Sequence, residues 1–129
     1  MAKPEDCRFT KSHEWIFAEG DVARVGISDH AQGEITDVVF VELPQPGRKV
    51  KGGEACAVIE SVKAAFDIYA PASGQIVGAN DKLGADPAVV NHSPYDEGWL
   101  FELKLSAPDE LKGLMSYEDY QAFVKAAAH

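Results

Sequence analysis

Val58-Ile59-Glu60-Ser61-Val62-Lys63-Ala64-Ala65-Phe66-Asp67-Ile68-Tyr69-Ala70-Pro71 is the stretch whose reading decides the fold. Two runs of strand-forming residues flank Val62-Lys63, and Pro71 turns the chain again. With Val62-Lys63 as a two-residue loop, Ser61 faces Ala64, Glu60 faces Ala65, Ile59 faces Phe66 and Ala57 faces Ile68. That register gathers Ile59, Phe66, Ala57 and Ile68 on one apolar face and sends Glu60 and Asp67 to the other. Lys63 is left alone at the tip of a hairpin spanning about residues 54–71. Val-Lys is not an Asn-Gly or Asp-Gly loop, and a type I′ turn would strain Val62. The pairing pattern, not the turn chemistry, argues for the hairpin.

Outward from this hairpin the same texture continues. Val22–Ile27, Ile35–Leu43, Gln75–Gly78 and Trp99–Leu105 read as short strands, separated by Pro46-Gly47, Gly52-Gly53 and Pro71–Gly74. Leu103, Lys104 and Leu105 alternate as a strand with one wet face does. Ser28–Gln32 is a one-turn helix with Ser28 as N-cap and Gly33 as its stop. Asp86–Val90 is a second helical turn, with Asp86 as N-cap and Pro87 at the first helical position. Near the end, Ser116-Tyr117-Glu118-Asp119 fits a capping pattern, and Tyr120, Phe123 and Val124 share one helical face. A C-terminal helical segment is expected over about 108–128, fraying across Ala126–Ala128. Many short strands with helical ends argue for an all-β barrel or sandwich. The 129 residues suit a single domain, 1–129.

The chain carries 21 Asp+Glu against 12 Lys+Arg, a net charge of −9. That field repels phosphate backbones and anionic lipid, so neither nucleic acid nor membrane is an expected partner. No apolar run is long enough to span a bilayer. The first residues read neither as a secretory signal nor as a mitochondrial presequence. The expected location is the cytoplasm, or the mitochondrial matrix for a mature organellar form. A monomer is the default expectation.

Catalytic sets are hard to find. His13 and Glu14 are adjacent and, on a strand, would point to opposite faces. The histidines at 13, 30, 92 and 129 lack metal-ligand spacing. Cys7 and Cys56 belong to no CxxC or Cys/His cluster, and Cys56 sits among apolar neighbours as a buried small hydrophobe does. Phosphate-binding glycine loops and a nucleophile elbow are absent. Trp15, Tyr95 and Trp99 read as core aromatics.

Glu60-Ser61-Val62-Lys63-Ala64, followed by Asp67-Ile68-Tyr69-Ala70-Pro71 and Gly74, resembles the lipoyl-lysine hairpin of the glycine cleavage system H-protein family. The resemblance extends over nearly the whole chain in order. It includes Ser12-His13-Glu14-Trp15, Val25–Gln32, Val39–Pro44 with Gly47, Asn91, Pro94-Tyr95, Gly98-Trp99, and Leu114-Met115-Ser116 with Tyr120. Phe66 departs from the small or polar residue frequent there, and Gly33–Asp37 departs from the family's usual run.

The resemblance implies a mainly β barrel-sandwich hybrid, like lipoyl and biotinyl carriers, with short helices and a C-terminal α-helix. It implies lipoate joined by an amide to Lys63. It implies a non-catalytic carrier that takes the aminomethyl group of glycine from a pyridoxal-phosphate glycine decarboxylase (P protein) to a tetrahydrofolate-dependent aminomethyltransferase (T protein). Dihydrolipoamide dehydrogenase (L protein) would reoxidise the dithiol. Ser61, Val62 and Ala64 frame the lysine. Glu60 and Asp67 either help a lipoate-attaching enzyme recognise the hairpin or keep an edge soluble. Ser12, Glu14 and Asp67 are the expected lining of a cleft for the cationic loaded arm, with Glu14 supplying charge-assisted hydrogen bonding. The lysine's neighbours, Val62 and Ala64, do not match the methionines of a biotinyl domain or the D-K-A of a 2-oxoacid dehydrogenase lipoyl domain. A lipoyl relay to other enzymes and an unmodified interaction module remain as alternatives.

Overall fold

The computed structural model describes residues 3–127, so Ala128, the last residue of the expected fraying end, and His129 lie outside the described residues. Among the described residues nine strands form two antiparallel sheets. The larger sheet has the order β1 (Arg8–Phe9), β2 (Glu14–Glu19), β3 (Val22–Ile27), β9 (Phe101–Leu105), β8 (Gly74–Ala79), β5 (Lys49–Val50). The smaller has β4 (Val38–Glu42), β6 (Ala55–Ser61) and β7 (Ala65–Tyr69). Val25, Ile76, Phe101 and Leu103 of the first sheet and Val41, Ala57, Ile59 and Ile68 of the second share one buried cluster. The architecture is therefore mainly β, two sheets over a common core, and the strand pairing does not close into a barrel.

Trp15 decides the packing on the other side of β2. Its side chain has no exposed surface, and its indole N–H donates to the Pro94 carbonyl at 3.0 Å. The indole lies across Gly26, its partner on β3, so closely that a Cβ at Gly26 would sit 2.6 Å from the ring. Trp15 joins Cys7, Phe9 and Tyr120 in a second cluster, against which Tyr95, Trp99, Phe123 and Val124 pack. Trp15 is thus core, Tyr95 and Trp99 are half-buried against it, and the apolar stripe of the last helix, α4 (Tyr117–Ala127), packs on the sheet through buried Tyr120 and half-buried Phe123 and Val124. Ser116 caps α4 by accepting from the Asp119 N–H at 3.1 Å. A 3-10 segment, Pro108–Gly113, precedes it, so the C-terminal helical region is two pieces rather than one.

Three local expectations differ. Ser28 does cap α1 (Asp29–Ile35), its Oγ accepting from Ala31 N–H, but Gly33 does not stop the helix. The helix runs on to Ile35, which the β-rich run had claimed, and ends at Thr36 with φ +66°. Asn91 supports that costly conformation: its side chain donates to the Thr36 carbonyl at 2.8 Å and accepts from Val38 N–H at 2.9 Å. Asp86 is not an N-cap. It closes α2 (Lys82–Ala85) by a backbone bond to Lys82, and α3 begins later, at Val89–His92. The last strand starts at Phe101, not Trp99, and shows the expected wet position at Lys104 between buried Leu103 and Leu105.

A Cβ at Gly26 must displace the Trp15 ring, which is packed on all sides. Gly26→Ala is expected to destabilise the fold by about 1–3 kcal/mol, read as a lower denaturant midpoint with unchanged slope.

Candidate functional site

The hairpin register is the one the sequence predicts: Glu60↔Ala65, Ile59↔Phe66, Val58↔Asp67 and Ala57↔Ile68. Ile59, Ala57 and Ile68 are buried and Phe66 is half-buried, while Glu60 and Asp67 are exposed. A bulge between Ala55 and Ala57 absorbs Cys56, which is buried. Burial pushes its thiol up to about 11, so it holds little nucleophilic thiolate at neutral pH. The base of the hairpin is closed by two backbone bonds of 2.8 Å, Gly53 N–H to Ala70 and Ala70 N–H to Glu54.

The turn itself is built by Ser61. Its N–H donates to the Ala64 carbonyl at 2.8 Å, and its Oγ accepts from the N–H groups of Lys63 and Ala64, each at 3.3 Å. Among the described non-glycine residues only His13 and Thr36 have positive φ, so the strain expected at Val62 from a type I′ turn does not arise. A serine at the first turn position supplies what Asn-Gly would otherwise provide. Val62 N–H also reaches the Asp37 carbonyl at 3.2 Å, tying the tip to the residue before β4. Lys63 is exposed, and it makes no ion pair among the described residues. Val62, Phe40 and Val39 are exposed apolar side chains of the same sheet and its tip, at 71%, 52% and 53%.

Beside the hairpin, along β7, lies a small cavity of about 150 Å³. Phe66, Asp67 and Ile68 form one side, the Ser12-His13 turn a second, and Ala31, Glu34 and Ile35 of α1 a third, with Ile27 between them. Phe66 is three positions from Lys63, roughly 10 Å at the usual strand rise. Two of the three expected cleft residues, Ser12 and Asp67, meet here. Glu14 is not in the lining and has no exposed surface. Its Oε1 accepts from the hydroxyls of Thr10 and Ser12, both at 2.5 Å, and its Oε2 from the Tyr69 N–H at 3.1 Å. Phe66 stands out in the sequence as a departure from the family pattern; Thr10, Ala31 and Ile35 are not singled out there as site residues. Thr10-to-Glu14 is a helix-like spacing in a segment that is not helical, so no local pattern marks it.

Among the described residues no group of three metal-binding side chains is present, and no helix is long and apolar enough to cross a membrane.

An exposed lysine on a two-residue turn, raised on a two-sheet scaffold, is the arrangement that a carrier domain requires. The family model for glycine cleavage H-protein matches residues 7–127. The glycine cleavage system H protein of Legionella pneumophila (strain Corby) is 53% identical over 116 residues, covering 90% of this chain and 93% of that one. That of Thermotoga maritima is 52% identical over 116 residues, covering 90% and 94%. The crystal structure of a glycine cleavage system H protein from Mycobacterium marinum superposes with a TM-score of 0.85 at 39% identity, over 93% of this chain and 97% of that chain. The chain belongs to the glycine cleavage H-protein family.

Ser61→Ala is expected to speed amide exchange at Lys63 and Ala64 by about fivefold while leaving β6 and β7 protected. Equal protection at the tip would deny the serine its role in the turn. Glu14 gives a pH prediction. Burial holds its carboxyl above the usual 4.5, against the lowering pull of Ser12, Thr10 and Tyr69. The folded state binds this proton more tightly than the unfolded chain. The stabilising share of the protonated acid is therefore full below 4.5 and is lost as pH rises through the higher folded pKa. The stability of the wild type relative to Glu14→Gln should fall as pH rises through that window, measured by denaturant unfolding at successive pH values. A difference that grows with pH would mean that the three donors outweigh desolvation.

Proposed function

We propose that Lys63 is the attachment point of a lipoyl group, joined through an amide, and that the protein works as the lipoyl carrier of the glycine cleavage system without turning over substrate itself. The observation that carries this reading is the Lys63 amine, exposed and unpaired on a turn locked by Ser61. Attachment needs an accessible primary amine, and the residues present fit that requirement. When bound, lipoate supplies a dithiolane that opens to accept a carbon fragment and closes on oxidation.

The chain supplies position. The hairpin is a stiff post that fixes where the arm begins, which raises the arm's local concentration at a docked enzyme. Acylation removes the lysine charge and leaves Glu60 and Asp67, the charged residues nearest in sequence, and Asp37, whose carbonyl meets Val62 N–H, all exposed. With Val39, Phe40 and Val62 they make a surface suited to basic-rimmed apolar mouths on other proteins. The partners in this reading are a glycine decarboxylase, an aminomethyltransferase, dihydrolipoamide dehydrogenase and a lipoate-attaching enzyme, met by a monomer in the cytoplasm. The family relationship favours this role over a lipoyl relay or an unmodified interaction module.

The cavity along β7 is the proposed resting cleft for the arm between enzymes. Phe66, Ile68, Ala31 and Ile35 would exclude water, and Ser12 and Asp67 would offer acceptors to a cationic end. Glu14 enters this reading through Ser12, whose hydroxyl it holds, rather than by meeting the arm directly.

Intact mass and peptide mapping before and after incubation with a lipoate-attaching enzyme, lipoate and ATP test the proposal. A single lipoyl increment at Lys63, lost in Lys63→Ala, is expected. An increment elsewhere, a biotin increment, or none overturns it.

A further inference from the structure

Tyr120 is almost wholly buried under α4, stacked on Phe9 with ring centroids 4.4 Å apart. Packing alone does not account for its hydroxyl. The phenol oxygen lies 2.6 Å from Ser28 Oγ and 2.7 Å from His13 Nδ1. Those two partners stand at the heads of two different walls of the cavity along β7. Ser28 caps α1, which contributes Ala31, Glu34 and Ile35. His13 lines the cavity itself, next to Ser12. The Ser28 N–H also donates to the His13 carbonyl at 2.9 Å, so residues 13 and 28 are held from backbone and side chain together. His13 needs such support, since its φ of +78° is one that non-glycine residues rarely adopt.

We infer that Tyr120 is the positioning residue of the arm cleft: one phenol on the C-terminal helix sets the spacing between the Ser12-His13 wall and the α1 wall. This rests on the cleft reading proposed above. Donor accounting gives the bridge a direction. Ser28 Oγ accepts from Ala31 N–H and meets no acceptor other than the phenol among the described residues, so using every proton sends the serine proton to the phenol oxygen and the phenol proton to His13 Nδ1. That order requires a neutral His13 carrying its hydrogen on Nε2. Desolvation, with His30 5.0 Å away, lowers the His13 pKa below 6.5, outweighing the opposing pull of Glu34. The remaining neighbours on that side, Phe123 and the Tyr120 ring, are uncharged.

Tyr120→Phe removes the hydroxyl and keeps the ring and its stack on Phe9. Val124→Ala loosens the packing of α4 without touching the bridge, and serves as control. In the unmodified full chain, nitrogen NMR of the His13 ring and amide exchange at Ser28 and Ala31 are the readouts. Tyr120→Phe is expected to abolish the single Nε2–H tautomer and to raise exchange at both amides by about five- to tenfold more than at core strands. Val124→Ala should do neither. An unchanged tautomer and unchanged exchange in Tyr120→Phe, or the same pattern in Val124→Ala, overturns the positioning role.

The modified protein then separates this inference from the reading beneath it. Lipoyl attachment at Lys63 should proceed at the wild-type rate in Tyr120→Phe, while the loaded arm is lost to water about five- to tenfold faster. Loosened walls with an unaltered lifetime would overturn the cleft reading, and with it any role for Tyr120 toward the arm. Failure of attachment in the wild type would overturn the carrier reading itself.

Discussion

The carboxylate of Glu14 sits between the two sheets, and the site is arranged around it. It belongs to β2 of the larger sheet, yet one of its oxygens accepts the backbone N–H of Tyr69 on β7, the edge strand of the smaller. Its other oxygen holds the hydroxyls of Thr10 and Ser12, which turn the chain into β2. Among the described residues it is the only carboxylate classed as buried. A buried carboxylate without partners would be strongly destabilising, so the three donors must be present together. Because the hairpin strand supplies one donor and the Thr10–Ser12 turn supplies the others, satisfying this one group sets where the hairpin stands relative to the cleft wall.

The two ends of the hairpin are then fixed by different means. At its root the backbone bonds of Gly53, Glu54 and Ala70 close the pair. At its tip a serine side chain replaces the conformational freedom of glycine, and the turn keeps negative φ at Val62 and Lys63. A rigid tip matters for a carrier. The flexible part should be the arm alone, since motion of the post would dilute the arm over positions where no partner can receive it. The cleft beside β7 is assembled differently, from three segments far apart in sequence, and the C-terminal helix reaches it through the Tyr120 hydroxyl.

Much of this was legible from the residues. Alternation over Ala57–Ile59 and Phe66–Ile68 specifies the register, because a slip of one residue would move Ile59 and Ile68 to the solvent face. Ser28 as N-cap, Ser116 as N-cap and the shared face of Tyr120, Phe123 and Val124 are local patterns, and local patterns survive into the fold. The misplaced end of α1 comes from a nonlocal partner, and the misplaced start of α3 from a competing local one. Ile35 stays helical because Asn91, from a distant segment, accepts Val38 and holds Thr36 in a conformation that its own sequence disfavours. Asp86 is taken by the end of α2 before it can begin α3.

By itself, then, the sequence determined the hairpin, its register, the lysine at its tip and the family to which the chain belongs. All of these depend on residues close in the chain or on motifs preserved in order. Only the tertiary structure decided that Glu14 is closed off from solvent, that Thr10 shares it with Ser12 and Tyr69, and that Tyr120 joins His13 to Ser28. The Tyr69 contact crosses from sheet to sheet, and the Tyr120 contacts run from the last helix to the turn before β2 and the cap of α1. A hydrogen bond between groups a hundred residues apart leaves no periodicity to read, because its partners are brought together by the packing of the whole core.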